Sequence, residues 1–396
     1  MCGLLYCITV EIVTVFVDGE GVVGMMRRLL VLLFGCGVFL LAAGSSLADE
    51  SDAVHVVPTE MCRGYFFIPV TLAPKEGAPE DRTLWFLFDT GAGSTHVDGE
   101  SLERVTGKKF KRGQRVTIKK AKAGPANIVK MSVKVADLDH LSHALGREID
   151  GILGFDTFQD FLLTLDYETS EIRIQKGNLP KPDQQTIFDA SGPDDRPWLE
   201  VQFSNRKRRM LIDSGAALAG FVVKDLEKFE RELEPRPTGV AFGFNNREYR
   251  YSARATGSAH IGRFELTQPI LQSTRGTELI GGKILHHFIL TFDQDKERVK
   301  LVQIDGSSPV TFKPLMGHGI VINSSAEGFE VVGSLEDTPA SHSTLEKGDL
   351  ITHWNGVPVN TRGCGEHIEN QDVLVLGVMR ADQVLEIELN LFPLVK

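Results

Sequence analysis

Hydrophobic and polar positions in residues 60–180 follow a pattern that is typical of β-strands rather than helices. Strands are predicted at Gly64–Leu72, Thr83–Phe88, Arg115–Lys119 and Glu171–Gln175. Glycine-containing turn signals flank the third of these strands, and Phe155–Phe161 has instead the spacing of a short helix. This part of the chain is therefore predicted to be a mainly β domain.

Residues 177–197 have a different composition, with several prolines among Asp and Gln residues, and we interpret them as a linker. Beyond the linker, Val240–Tyr251 is predicted to form two strands around an Asn-Asn turn. A second β domain is thus predicted from about Pro197 to Gln303.

Two short strings in these domains match each other. Residues 86–92 read FLFDTGA and residues 210–216 read MLIDSGA. In both, three apolar residues lead into an aspartate, so that a buried strand delivers a carboxylate and then a hydroxyl to a tight turn. One such string also occurs in ordinary turns, but two at equivalent places in a repeat are strong evidence for a shared role.

The match extends further along the chain. Residues 152–166 and 279–293, aligned on Gly154 and Gly281, share a phenylalanine, a leucine, a threonine and an aspartate in one register. The two aspartate motifs are 124 positions apart and the two glycines 127, so only a few residues of insertion separate the halves. A period of this length indicates one β-lobe duplicated in tandem rather than a solenoid.

This arrangement resembles the retropepsin-like aspartic peptidases, with two lobes fused in one chain as in pepsin. The resemblance covers residues 60–305 and rests on Asp89-Thr90-Gly91 with Ile152-Leu153-Gly154, and on Asp213-Ser214-Gly215 with Leu279-Ile280-Gly281. It implies an all-β, two-lobed aspartic-protease β-barrel fold in which each glycine string packs beside the aspartate-bearing loop. Each lobe is shorter than in pepsin and closer in size to a retroviral subunit.

Asp89 and Asp213 are therefore the candidate catalytic residues. Two carboxylates held close together share a proton and titrate as a pair, as they do in the aspartic proteases. The charged member takes a proton from water while the protonated member polarises the scissile carbonyl, without a metal or other cofactor. The alternative is that both are turn aspartates in lobes without activity.

The residues after each aspartate are predicted to support the pair. The resemblance implies that the hydroxyls of Thr90 and Ser214 hydrogen-bond across the lobe interface, although a local turn bond would also satisfy them. Gly91 and Gly215 are predicted to serve the backbone geometry of the turns.

Four other residues near the motifs are interpreted as structural. Asp156 and Asp160 follow the first glycine string, but the matching residues of the second repeat are not acidic, which predicts surface positions. Tyr249 and Tyr251 lie where a second-lobe flap is expected. We interpret them as aromatics that pack on strands, because a pepsin-like flap carries its tyrosine in the first lobe.

The C-terminal part of the chain has another pattern. Residues 347–351 (KGDLI) followed by residues 355–359 (NGVPV) resemble a bacterial PDZ domain over residues 312–396, a small α+β fold. Such a domain implies strand addition by an extended peptide, with backbone amides near Gly319 and Ile320 binding its terminal carboxylate. The Gly/Ser/Pro junction at residues 306–309 suggests a separately folding module.

Composition narrows the function classes. The formal net charge of −10 argues against nucleic-acid binding, and the local basic runs are interpreted as solvated loops. No spacing of Cys and His resembles a zinc site, and the adjacent His286 and His287 would diverge on a helix, so that no metal or other cofactor is predicted. The predicted partners are a polypeptide substrate and a C-terminal peptide ligand of the PDZ domain.

The N-terminus predicts export. Arg27-Arg28, the apolar run Leu29–Leu41 and small residues before Asp49 match a signal peptide at about residues 26–48, with the true start at Met25 or Met26. The run is short for a membrane span, which favours a secreted or periplasmic protein over an anchored one. Cleavage leaves Cys62 and Cys364, which either form a disulfide or stay free thiols.

The predicted organisation is an N-terminal extension with a signal peptide (1–48), two aspartic protease lobes (55–180 and 196–306) and a PDZ domain (312–396). The predicted function is that of an exported aspartic endopeptidase. One alternative is a non-catalytic peptide-binding or scaffold protein that keeps the fold. Another is a dimer in which each lobe pairs with its counterpart in a second chain.

Overall fold

The computed structural model describes residues 53–396 except 78, 205, 243–246, 307–308, 361–363 and 365–371. The predicted signal peptide and the predicted Asn-Asn turn lie outside the described residues. The described part is an all-β fold, which confirms the predicted class, and it forms one compact unit. No helix in the described part is long and apolar enough to cross a membrane.

The first repeat and the segment after it contain, in order, β1 (His55–Val57), β2 (Glu60–Cys62), β3 (Tyr65–Leu72), β4 (Thr83–Asp89), β5 (Thr95–Asp98), α1 (Gly99–Thr106), β6 (Arg115–Ala123), β7 (Ala126–Ala136), α2 (Asp139–Leu145), β8 (Gly151–Gly154), a 3-10 turn (Phe155–Phe158), β9 (Leu162–Asp166), β10 (Glu171–Gln175) and β11 (Ile187–Asp189).

The second repeat contains β12 (Trp198–Phe203), β13 (Arg206–Ile212), a 3-10 turn (Ser214–Ala216), β14 (Phe221–Val223), a 3-10 turn (Leu226–Lys228), β15 (Arg236–Phe242), β16 (Arg247–Arg254), β17 (Ser258–Ile261), β18 (Phe264–Thr267), β19 (Ile270–Ser273), β20 (Leu279–Ile280), α3 (Gly282–Leu285), β21 (Phe288–Asp293) and β22 (Arg298–Gln303).

The C-terminal part contains β23 (Val310–Thr311), β24 (Leu315–Gly317), β25 (Ile320–Ser324), β26 (Phe329–Ser334), a 3-10 turn (Ala340–His342), β27 (Leu350–Trp354), β28 (Val357–Pro358), β29 (Val373–Arg380), β30 (Gln383–Asn390) and β31 (Phe392–Val395).

Each repeat forms its own sheet. In the first repeat the strand order is β2-β3-β4-β8-β5-β7-β6, and β6 also pairs with β3, which closes six strands into a barrel. The second repeat belongs to a ten-stranded, curled sheet of order β15-β16-β19-β14-β20-β13-β12-β17-β18-β23. Successive side chains on a strand point to opposite faces, so Phe66 and Ile68 of β3 point the same way, into the barrel. Both are fully buried there.

A third sheet joins the two repeats. Its order is β1-β10-β9-β21-β22-β11, so the matching strands β9 and β21 pair with each other in antiparallel register. Thr164 lies opposite Thr291, its counterpart in the repeat, and their hydroxyls are 3.0 Å apart. The rings of Phe155 and Phe292 meet edge to face at 5.3 Å, and the main hydrophobic core runs through both repeats.

The linker prediction for residues 177–197 is wrong in part. Ile187 and Phe188 belong to β11, which pairs with β22, and both side chains are buried. Although the segment as a whole is polar and rich in proline, burial of these two apolar side chains is favourable enough to place them in a strand.

The C-terminal sheet has the order β25-β26-β27-β29-β30, with β28 beside β27, and β24 pairs separately with β31. It has its own core, to which Ile351 and Leu376 contribute. The residues that lead into it remain attached to the second repeat, since β23 pairs with β18 and the Phe312 ring packs edge to face on His287.

Candidate active site

Each candidate aspartate follows directly on a buried strand. β4 ends at Asp89, and β13 ends one residue before Asp213. β4 pairs in parallel with β8, so that Asp89 lies opposite Gly154. β13 pairs in parallel with β20, so that Ile212 lies opposite Ile280. The glycine strings of the sequence therefore lie beside the aspartate-bearing strands in both repeats.

The residues after the aspartates hydrogen-bond across the two repeats. The Thr90 amide donates to the Ser214 hydroxyl at 3.0 Å, and the Ser214 amide donates to the Thr90 hydroxyl at 2.9 Å. The Thr90 hydroxyl donates to the Ile212 carbonyl at 2.7 Å, and the Ser214 hydroxyl donates to the Phe88 carbonyl at 3.1 Å. Because both hydroxyls are buried, these four bonds fix one strand end against the other.

Gly91 and Gly215 are explained by space and not by backbone conformation. A Cβ atom on Gly91 would lie 2.5 Å from Cγ of Asp213, and one on Gly215 would lie 2.5 Å from each carboxyl oxygen of Asp89. Neither glycine has a positive φ, so a left-handed backbone conformation is not what requires glycine at these positions. Each turn needs glycine because the carboxyl of the other repeat occupies the place of its side chain.

The structure brings Asp89 and Asp213 together within one chain. Their carboxyls hydrogen-bond to each other, and both side chains are partly exposed, so that water can reach them. Burial raises the pKa of both carboxyls, and the charge of Asp89 raises the pKa of Asp213 further. Two close carboxyls in this environment hold one proton between them.

The hydrogen-bond donors around the pair are distributed unequally. The Gly91 amide donates to Oδ1 of Asp89 at 2.7 Å, and the amides of Gly215 and Ala92 also lower the pKa of Asp89. Among backbone amides, only that of Ala216 is a main factor lowering the pKa of Asp213. The two carboxyls titrate as one pair, in which burial raises both pKa values and the charge of Asp89 raises that of Asp213 further.

Arg196 is a residue of this site that the sequence did not indicate. Its Nη1 donates to the Gly91 carbonyl at 2.9 Å, and its Nη2 pairs with Asp194 at 2.6 Å. The guanidinium is close enough to lower the pKa of Asp213. Asp194 anchors the Arg196 side chain, so that a fixed positive charge lies beside the carboxyl pair.

Tyr65 occupies the equivalent position in the first repeat. Phe67 pairs with Leu87, two residues before Asp89, and Trp198 pairs with Leu211, two residues before Asp213. Phe67 and Trp198 are therefore equivalent positions of the two repeats. Tyr65 lies two residues before Phe67, and Arg196 lies two residues before Trp198. Burial raises the pKa of Tyr65 to about 12, and the charges of both aspartates add to this effect.

Tyr167 and His286 line the same region. The Tyr167 ring lies between Phe66, at 4.8 Å, and His286, at 4.4 Å. Burial and then the charges of the two aspartates raise the pKa of Tyr167, while burial lowers the pKa of His286. The Tyr167 hydroxyl has no hydrogen-bond partner within the part of the chain that the structure describes. Both side chains are therefore neutral near pH 7.

The other candidates lie elsewhere. Asp156 and Asp160 are exposed, as predicted. Tyr249 and Tyr251 lie on the strand β16, as predicted, but they are 60% and 47% exposed and are not packed in a core. They line a cavity of about 650 Å³ together with acidic side chains such as Glu248. Their alternating positions on the strand put them on its solvent face.

The predicted carboxylate-binding residues Gly319 and Ile320 lie at the start of the C-terminal sheet. Gly319 has a φ of +85°, and a Cβ there would collide with the Thr338 side chain. Ile320 begins β25, which is the edge strand of its sheet and pairs only with β26 among the described strands. One edge of β25 is therefore not covered by a strand of this sheet.

No group of three or more His, Cys, Asp or Glu side chains within the described ranges has the arrangement of a metal site. Comparison of the chain with protein-family models gives no match, and a search of curated proteins gives no significant match.

Proposed function

We propose that the protein is an exported aspartic endopeptidase with two lobes in one chain and a C-terminal PDZ domain that binds peptides. The observation that supports it best is the pair of mutually hydrogen-bonded, partly exposed carboxyls of Asp89 and Asp213. The buried hydrogen bonds between Thr90 and Ser214 also support the proposal, because an aspartic peptidase needs its two aspartates held in a fixed position.

In the proposed mechanism, Asp89 is the carboxylate and Asp213 carries the shared proton. Asp89 takes a proton from a water molecule, which attacks the scissile carbonyl carbon, and Asp213 donates its proton to the carbonyl oxygen. In the second step Asp89 returns its proton to the leaving nitrogen, Asp213 recovers one from the tetrahedral intermediate, and the C–N bond breaks. Both carboxyls end in their starting states.

The surroundings of the pair are suited to this chemistry. Tyr65 and Tyr167 remain neutral near pH 7, so they do not add negative charge beside Asp89. Arg196 lowers the pKa of Asp213, which makes the proton on Asp213 easier to donate to the scissile carbonyl. The proposed substrate is an unfolded or extended polypeptide, and the proposed role of β25 is to bind a peptide end by strand addition.

The function is tested with the full-length protein and a mixture of unstructured peptides, with new termini identified by mass spectrometry. Asp89→Asn and Asp213→Asn are each expected to lower kcat/KM by at least about 10²- to 10⁴-fold, the usual contribution of general acid–base catalysis. Asp160→Asn is the matched control, since Asp160 is an exposed aspartate of the same repeat. Chelators are expected to leave the activity unchanged.

Full activity in either dyad variant would refute the mechanism. Absence of cleavage between pH 3 and 8 by the folded wild-type protein, together with retained peptide binding, would instead favour the non-catalytic peptide-binding protein. Restoration of activity by mixing the two inactive variants would indicate that the working site forms between two chains.

A further inference from the structure

The two cysteines of the described residues lie in contact. Cys62 ends β2 and is 1% exposed, while Cys364 is partly exposed and belongs to the C-terminal part. Cys364 packs on the small hydrophobic cluster that contains Cys62, Phe67 and Leu87. After burial, the Cys364 thiol is the next cause that raises the pKa of Cys62, so the two sulfurs interact directly. Residues 302 positions apart in the chain are thus within reach of a covalent bond.

Arg147 is positioned beside this thiol pair. Its Nη1 is 4.0 Å from Sγ of Cys364, and its Nη2 pairs with Glu60 at 2.6 Å. The guanidinium also stacks over the Phe67 ring at 4.2 Å. A fixed guanidinium therefore lies in contact with the sulfur of Cys364.

We propose that Cys62 and Cys364 are an oxidisable dithiol that forms a disulfide between the first repeat and the C-terminal part. The oxidant is a small-molecule disulfide of the glutathione class. The thiolate of Cys364 attacks this disulfide, forming a mixed disulfide and releasing one thiol. The Cys62 sulfur, losing its proton, then attacks Sγ of Cys364 and releases the second thiol. Two protein thiols are oxidised and one oxidant disulfide is reduced.

The environments of the two sulfurs determine this order. Cys364 is partly exposed and has Arg147 beside it, so the oxidant can reach it. Cys62 is buried, and burial raises its pKa to about 12, which makes it a poor first nucleophile. Once Cys364 carries the oxidant, Cys62 is the adjacent sulfur that resolves the mixed disulfide.

The disulfide would also act on the C-terminal sheet. α2 lies beside the edge strand β25, and Arg147 follows two residues after α2. A bond from β2 to Cys364 therefore fixes β25 next to α2 and restricts the approach of another strand to β25. This consequence rests on the proposed peptide binding, whereas the disulfide itself does not.

The test uses reduced full-length protein in which Cys2, Cys7 and Cys36 are replaced by serine. It is equilibrated with glutathione buffers of rising disulfide fraction, alkylated and mapped by mass spectrometry without reduction. A linked Cys62–Cys364 peptide is expected in the folded protein that keeps both of these cysteines. Cys62→Ser is expected to retain one glutathione on Cys364, and Cys364→Ser is expected to leave Cys62 unmodified.

Absence of the linked peptide in the most oxidising buffer, or its formation only after unfolding, would overturn the proposal. Hydrogen exchange then tests the coupling to the sheet. The amides of Ile320–Ser324 are expected to exchange at least several-fold more slowly in the oxidised protein than in the reduced protein, and equally in both states of Cys62→Ser. An unchanged rate would refute the effect on β25. Neither readout depends on peptidase activity, so a failure here is distinct from a failure of the proposed enzyme.

Discussion

The hydroxyl of Thr90 accepts a hydrogen bond from the amide of Ser214, and the hydroxyl of Ser214 accepts one from the amide of Thr90. Each hydroxyl also donates to a carbonyl of the opposite repeat. The positions of Asp89 and Asp213 therefore depend on each other, because a shift of one strand end breaks bonds to the other. Two residues that are 124 positions apart set the geometry of the carboxyl pair.

Removal of either hydroxyl is expected to weaken both the fold and the site. Thr90→Val leaves the Ser214 amide and the Ile212 carbonyl unpaired in the interior, which costs about 1–3 kcal/mol for each unsatisfied group. The free energy of unfolding, measured by urea titration, should fall by about this amount. The value of kcat/KM should also fall. Thr90→Ser keeps the hydroxyl and is the control. If Thr90→Val equals wild type in both measurements, these bonds do not fix the pair.

The raised pKa of Asp213 predicts a pH-dependent stability difference. The folded protein binds this proton more tightly than the unfolded chain, whose aspartates titrate near pH 3.9. The stabilisation is complete below that pH and is lost as the pH rises through the folded pKa, by roughly 1.4 kcal/mol for each unit of the shift.

Asp213→Asn removes this titration and is therefore expected to be more stable than wild type at pH 7 while being inactive. The advantage should be smaller at pH 3.5, where the wild-type carboxyl is protonated in both states. Urea unfolding of the two proteins between pH 3.5 and 8 measures it, with Asp160→Asn as the comparison. A difference that does not change with pH would show that the pKa of the pair is not raised in the folded protein.

Arg196 predicts a shift in the pH–rate profile. Its charge lowers the pKa of Asp213, so that Arg196→Met should raise the pKa values of the pair. The alkaline limb of kcat/KM, which reports loss of the proton carried by Asp213, is expected to move to higher pH. Arg196→Lys keeps the charge and should keep most of the wild-type profile. Identical profiles for wild type and Arg196→Met would exclude an electrostatic role.

Local patterns were sufficient to predict the strands and the aspartates but not all of their neighbours. Asp89 and Asp213 follow apolar runs that also determine burial, so short-range information identifies them. Tyr65 and Arg196 are equivalent only through strand register. The connection between β3 and β4 spans residues 73–82, whereas that between β12 and β13 spans residues 204–205. Linear alignment of the repeats therefore hides this relationship.

Other differences arise from contacts distant in sequence. Composition marks residues 177–197 as a linker, yet β22 supplies a partner for Ile187 and Phe188. The alternation of β16 is visible in the sequence, but the position of the strand in the curled sheet decides that Tyr249 and Tyr251 face solvent. The approach of Cys62 to Cys364 depends on packing between two parts of the chain, which no local pattern contains.

The last prediction concerns where the C-terminal part can be removed. β23 pairs with β18, and Phe312 packs on His287, so that a cut after residue 308 deletes a strand and a core contact of the second repeat. A cut after Lys313 keeps both. We expect the first truncation to lower Tm by a few degrees more than the second, since about 1 kcal/mol shifts Tm by roughly 2–4 °C in a domain of 150–250 residues and by less in a longer one.

Contacts across the second cut also have an expected effect. The Arg254 guanidinium donates to the carbonyl of Lys396, and Arg236 lies over the Phe392 ring. Because these contacts are exposed, their loss should cost less than the loss of β23.

If the protein truncated after Lys313 folds, cleavage of a short peptide should be nearly unchanged while cleavage of a protein substrate should fall, since a second binding contact raises effective concentration. Equal losses on both substrates, with an unchanged melt, would mean that the C-terminal part acts on the carboxyl pair itself.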